Sequence, residues 1–81
     1  MLNKHYVEVL SLNKSGGNSE ELIRRDDYDS AESLFYDKCS NYAGNAQTGY
    51  VVIKLMNPYG GVLLTATIDR LPKPEPEEPT I

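Results

Sequence analysis

The chain has 81 residues, a quarter of them charged, with a net charge of −4, one histidine and one cysteine. That length admits one domain with a modest core. The acidic balance argues against a nonspecific grip on a nucleic-acid backbone, which needs Lys and Arg to displace counterions, and the lone Cys39 excludes an internal disulfide.

His5 to Asn13 (HYVEVLSLN) reads as the first strand. Val7, Val9, Leu10 and Leu12 are apolar, but the alternation breaks between Val9 and Leu10. That break predicts either a bulge or partial cover of both faces. Lys14 to Asn18 is a loop by its glycines and small polar residues. Ser19 to Asp27 holds Leu22-Ile23 in a charged setting, and a short strand over Glu21–Arg25 is favoured over a helical turn. Arg24-Arg25 is the one local basic pair.

Ser30 to Ala43 is the predicted helix, with Ala31, Leu34, Phe35, Cys39, Tyr42 and Ala43 on one face. Asp29 and Glu32 stand at capping-box spacing, and Gly44 is the expected left-handed stop. Gly49 to Arg70 is a hairpin. Tyr50–Met56 and Val62–Ile68 are β-type runs, and Asn57-Pro58-Tyr59-Gly60-Gly61 is turn chemistry. Pairing Asn57 with Val62 puts Val51, Ile53 and Leu55 on one face with Leu64, Ala66 and Ile68, which is the face for the helix to cover. The other face carries Tyr50, Val52, Lys54, Met56, Leu63, Thr65 and Thr67. Leu71 to Ile81, with four prolines and three glutamates, reads as a mobile tail. The expected organisation is a single domain over 1–70 and a tail over 71–81. The expected fold is a small α+β domain of three or four antiparallel strands with one helix on one face, in ββαββ or βαββ order.

Few residues offer chemistry. One histidine and one cysteine supply no zinc ligand set, and Cys39 on the apolar helix face reads as a small buried hydrophobe. The carboxylates Glu20, Glu21, Asp26, Asp27 and Asp29 match no calcium loop and read as solvated surface. Neither an enzymatic activity nor a cofactor is therefore expected. Of six tyrosines, Tyr42 and Tyr6 are assigned to the core, while Tyr28, Tyr36, Tyr50 and Tyr59 are free to be exposed. The interaction surface expected from these features comprises Tyr50, Val52, Met56 and Leu63 on the uncovered hairpin face, Tyr36 and Tyr59, and the basic pair Arg24 and Arg25. The occupant of that face is expected to be a second copy in a homodimer, another protein, or the Ser19–Asp27 segment folded over it. A small ligand is a further option; nucleic acid and membrane are not expected partners. The N-terminal run, interrupted by Lys4, His5 and Glu8, does not read as a signal peptide, which favours the cytoplasm.

The Tyr6-Val7-Glu8-Val9-Leu10 start, the Phe35…Cys39…Asn41-Tyr42-Ala43 helix, the compact hairpin and the Pro-Glu tail together resemble small accessory proteins of tailed bacteriophages. The resemblance spans the chain and assigns no functional residue. It implies a setting in the host-cell cytoplasm and a non-enzymatic binding module, such as an inhibitor or accessory protein engaging a host protein or small ligand. The alternative is a structural or virion-associated homo-oligomer.

Overall fold

A computed structural model describes residues 4–71 of the chain. From Pro72 onward the predicted tail lies outside the described residues. Strand β1 (His5–Asn13) turns into β2 (Asn18–Arg25), helix α1 (Tyr28–Ala43) follows, and β3 (Thr48–Met56) turns into β4 (Val62–Asp69). The four strands form one antiparallel sheet in the order β2-β1-β3-β4. The ββαββ order holds, and β2 is three residues longer at its start than the predicted strand. The Ser19–Asp27 segment is thus mostly an edge strand in the sheet and does not fold over a face.

Each strand puts alternate residues on α1. Val7 and Val9 of β1 and Val51, Ile53 and Leu55 of β3 are fully buried there, closed over by Ala31 and Phe35 of the helix. Leu34, Cys39 and Tyr42 flank this core from α1, and Leu64, Ala66 and Ile68 flank it from β4. Ala43, assigned to the same helix face, is exposed. The helix runs mainly over the two central strands, which is why β4 is only half covered. The break at Val9-Leu10 is not a bulge, since the register runs unshifted through both residues. Both faces of β1 are apolar instead: Val9 faces the helix and Leu10 the other side. Tyr6, assigned to the core, also lies on that other side, because its neighbour Val7 faces α1.

Both hairpins use the same five-residue turn, Asn13-Lys14-Ser15-Gly16-Gly17 and Asn57-Pro58-Tyr59-Gly60-Gly61. The first Asn carbonyl accepts from the Gly16 or Gly60 amide at 3.0 Å, and the Asn amide donates to Gly17 or Gly61 O at 2.8 Å. Each Asn Oδ1 also accepts from two amides inside the turn, those of Ser15 and Gly17 or of Tyr59 and Gly61. This is a type I turn followed by a left-handed residue, and Gly16 and Gly60 sit at φ of 97° and 87°. The second glycine has another reason. A Cβ at Gly61 would lie 2.8 Å from the side-chain Nδ2 of Asn57, and one at Gly17 would lie 3.0 Å from Nδ2 of Asn13.

A three-residue turn alone would continue the β3–β4 ladder with Leu55 opposite Leu63 and mix the two faces. The ladder shifts instead: Met56 pairs with Val62, Leu55 with Leu64, and Leu63 is left unpaired. The predicted Asn57–Val62 pairing is therefore replaced by Met56–Val62, while the predicted faces hold from Leu55 onward. Burial of Leu55, Ile53 and Val51 sets the register, and the bulge reconciles it with the turn.

The helix begins two residues before the predicted start. Its N-cap is Asp27, not Asp29, with Oδ1 accepting from the Ser30 amide at 2.7 Å. Asp29 sits in the first turn, where a negative charge suits the helix dipole. At the other end Gly44 is right-handed (φ −83°), so the predicted left-handed stop is not formed. The last carbonyls are satisfied from outside the helix. Thr48 Oγ1 donates to Tyr42 O at 2.8 Å, and the Arg70 guanidinium, arriving past the end of β4, donates to Ala43 O at 2.6 Å and Asn45 O at 3.2 Å. With those groups taken, no left-handed residue is needed.

Two outcomes follow. Phe35→Ala removes the one large helix side chain that is nearly fully buried (4% exposed), and a loss of about 3–5 kcal/mol is expected in urea or thermal melts. A variant melting with the wild type would contradict the helix packing. The second concerns acid. The Ser30 backbone amide first, then the Ser30 hydroxyl, hold the Asp27 carboxyl below its ordinary pKa. The capping contribution is therefore complete above the ordinary carboxylate range and is lost as pH falls through the lowered value. Asp27→Asn keeps a capping oxygen that does not titrate, so its melting temperature should gain on the wild type as the solution is acidified. A difference constant with pH would show that the cap does not titrate.

Candidate interaction surface

The face of the sheet turned away from α1 has no covering element among the described residues. Alternation fixes what it carries: Tyr6, Glu8, Leu10 and Leu12 from β1, and Tyr50, Val52, Lys54 and Met56 from β3. The register sorts them into cross-strand rows. Tyr6 lies between Arg24 of β2 and Met56, Glu8 between Leu22 and Lys54, Leu10 between Glu20 and Val52, and Leu12 between Asn18 and Tyr50. From β4, Val62 joins Met56, Thr65 joins Lys54, Thr67 joins Val52 and Asp69 joins Tyr50. Leu63 extends the first row beside Val62, because its neighbour Leu64 faces the helix.

On the two central strands, then, one charged row, Glu8–Lys54, is flanked by apolar rows on both sides. Leu10 and Tyr50 are each 37% exposed, Leu63 44% and Leu22 63%. Leu10, Leu12, Tyr50 and Val52 border a shallow hollow of about 330 Å³ on this face. Exposed apolar rows grouped in this way mark a docking surface. Glu8 and Lys54, although register partners, are not drawn into an ion pair with each other, whereas Lys38 Nζ meets Glu21 Oε1 at 3.0 Å on the helix side.

The residues expected to form one interaction surface divide. Tyr50, Val52, Met56 and Leu63 share the open face, and Arg24 joins it at the β2 edge. Arg25 pairs with His5 on the helix side of β2. Tyr36 is 54% exposed on α1, in the other layer, where its ring meets the edge of Phe35 at 5.3 Å. Tyr59 is 87% exposed at the tip of the second turn. Tyr6, Leu10, Leu12 and Glu8 belong to the surface and had not been assigned to it. Their signal was present as the second phase of the β1 alternation.

The remaining polar features are occupied locally. Glu21 holds Lys38, and Asp27 caps the helix. Tyr28 donates to Glu32 Oε2 at 2.8 Å, which raises its pKa, and its ring sits edge-on to His5 at 5.5 Å. Cys39 is half-buried against the core, and that burial raises its thiol pKa, the reverse of nucleophile activation. Among the described residues no three of His, Cys, Asp and Glu stand close enough to share a metal ion. No helix there is long and apolar enough to cross a membrane. A polar cleft of about 280 Å³ lies where the first turn meets the α1–β3 loop, lined by Asn13, Asn18, Tyr42, Asn45 and Gln47. Several of its polar groups serve the turns themselves: Asn13 and Asn45 Oδ1 accept from neighbouring amides.

No protein-family model, curated protein or solved structure matches the chain.

Proposed function

We propose that the chain is a non-enzymatic binding module that works through the open face of its sheet, as an accessory protein would in the phage setting its sequence resembles. The carrying observation is the pair of apolar rows around Glu8–Lys54 on a face that no element among the described residues covers. Rigid central strands present these side chains, so docking needs little ordering of the surface. The aromatic and methionine content, with Tyr6, Tyr50 and Met56 on the two central strands, suits a protein interface.

The test is a native mass spectrum of the protein expressed in bacteria, taken beside that of Val52→Lys combined with Leu63→Lys. Both substitutions lie on the open face, away from the buried helix side. The unaltered chain is expected to carry additional mass, either a second copy or another protein, and the double variant to appear bare. A bare unaltered chain overturns the reading.

A further inference from the structure

Resting on the reading that the open face is the working surface, we infer that its occupant is a second copy of this chain. The two sheets pack face to face about a two-fold axis parallel to the strands.

The charged row carries the inference. Glu8 and Lys54 are register partners on the two central strands β1 and β3, one residue to each side of the sheet's midline. A two-fold axis that runs along this midline, between the sheets, exchanges the positions of β1 and β3 and keeps every residue at its height along the strands. Glu8 of each copy then lies over Lys54 of the other. The four charges alternate in sign around a closed square, within the sheet and between the sheets. The apolar rows superpose in the same operation. Leu10 meets Val52 of the second copy, Tyr6 meets Met56, and Leu12 meets Tyr50, because each pair shares a row.

The other two-fold arrangements fail on charge. An axis in the same plane but across the strands, passing through the charged row, sets Glu8 over Glu8 and Lys54 over Lys54. Moving that axis so that the partner slides by one row sets Glu8 over Leu10 and Lys54 over Val52 in one direction, and Glu8 over Tyr6 and Lys54 over Met56 in the other. A desolvated charge without a partner is strongly unfavourable, so of these axes the charges on the two central strands favour the parallel one. The parallel axis gives aligned face-to-face packing, in which the strands of the two sheets run within about 30° of each other. The flanking rows supply the affinity and the central row supplies register, the best attested use of buried ionic groups. The interface is isologous, so one patch serves both copies.

Charge reversal tests this directly. By sedimentation at high micromolar concentration the purified full chain is expected at twice the chain mass. Glu8→Lys alone and Lys54→Glu alone each stack like charges, and association should weaken by about tenfold or more in each. Combining the two substitutions in one chain restores opposite charges across the interface only when position 8 faces position 54, so the combined variant should return to the dimer. Circular dichroism monitors folding of all three variants. The restored dimer also shows that loss in the single variants is not misfolding. A monomeric unaltered chain, or a combined variant that stays monomeric, overturns the proposal. If the purified chain is monomeric yet a foreign mass is seen bound and is lost with Val52→Lys and Leu63→Lys, the occupant is a different protein and the working face stands. If no mass is bound at all, both readings fail.

Discussion

The structure depends on the burial of one sheet face under one helix. Val7, Val9, Val51, Ile53 and Leu55 reach full burial only because Phe35 and Ala31 close over them. A domain this small buries a limited share of its surface, and these few side chains are the apolar core among the described residues. Register, turn and bulge yield to that demand. The Asn57–Gly61 turn has its own preferred geometry, with Gly60 left-handed and Asn57 holding two amides. The ladder above it nonetheless shifts by one residue at Leu63, so that Leu64, Ala66 and Ile68 stay on the helix side. In the first hairpin the same turn leads into β1–β2 with no shift, since Ile23 already falls opposite Val7.

The second hairpin's faces and the helix core were legible in the sequence because side-chain period is a local property. What was not legible was set by contacts far along the chain. Gly44 reads as a left-handed cap by residue type, yet the helix carbonyls there are taken by Thr48 and by Arg70, 27 residues beyond Ala43. No local pattern announces that an arginine from another strand end will arrive. The helix start was ambiguous for a different reason. Asp27 and Asp29 are both competent caps, and Glu32 lent Asp29 the capping-box spacing. With the helix starting at Tyr28, its hydroxyl reaches Glu32 one turn on, and its ring contacts His5, a contact that follows from the β1–α1 arrangement. The repeated Asn-x-x-Gly-Gly turn was fully present in the sequence. Its first copy reads only as a loop unless the two are compared.

The interaction surface was legible by halves. The β3 and β4 contributions follow from the hairpin alone. The β1 contribution needed the knowledge that β1 pairs with β3, a partner about 44 residues away in sequence. Without it, Tyr6 looks like core and Leu10 like a defect in alternation. Once β1 and β3 are neighbours, Leu10 meets Val52 and the apparent defect becomes part of an apolar row. Tyr36 and Arg25 were grouped with this surface by residue type, and alternation or layer places them elsewhere.

The two faces of each central strand are chemically separate, and this has a consequence for how the molecule can change. Val51, Ile53 and Leu55 hold the helix; Val52 and Lys54, interleaved with them, touch only the other side. Substitutions at the second set leave the dry interior intact, so the chemistry of the open face can be altered without giving up the fold. The edges differ in the same respect. On β2, Glu20, Glu21, Arg24 and Arg25 place charges of both signs along the free edge, which discourages strand addition. On β4, Val62 to Ile68 carries no charge at all, and Leu63 bulges from the ladder. That bulge twists the one uncharged edge out of line for a further strand. The residue that reconciles turn with register therefore also blunts the edge against strand addition.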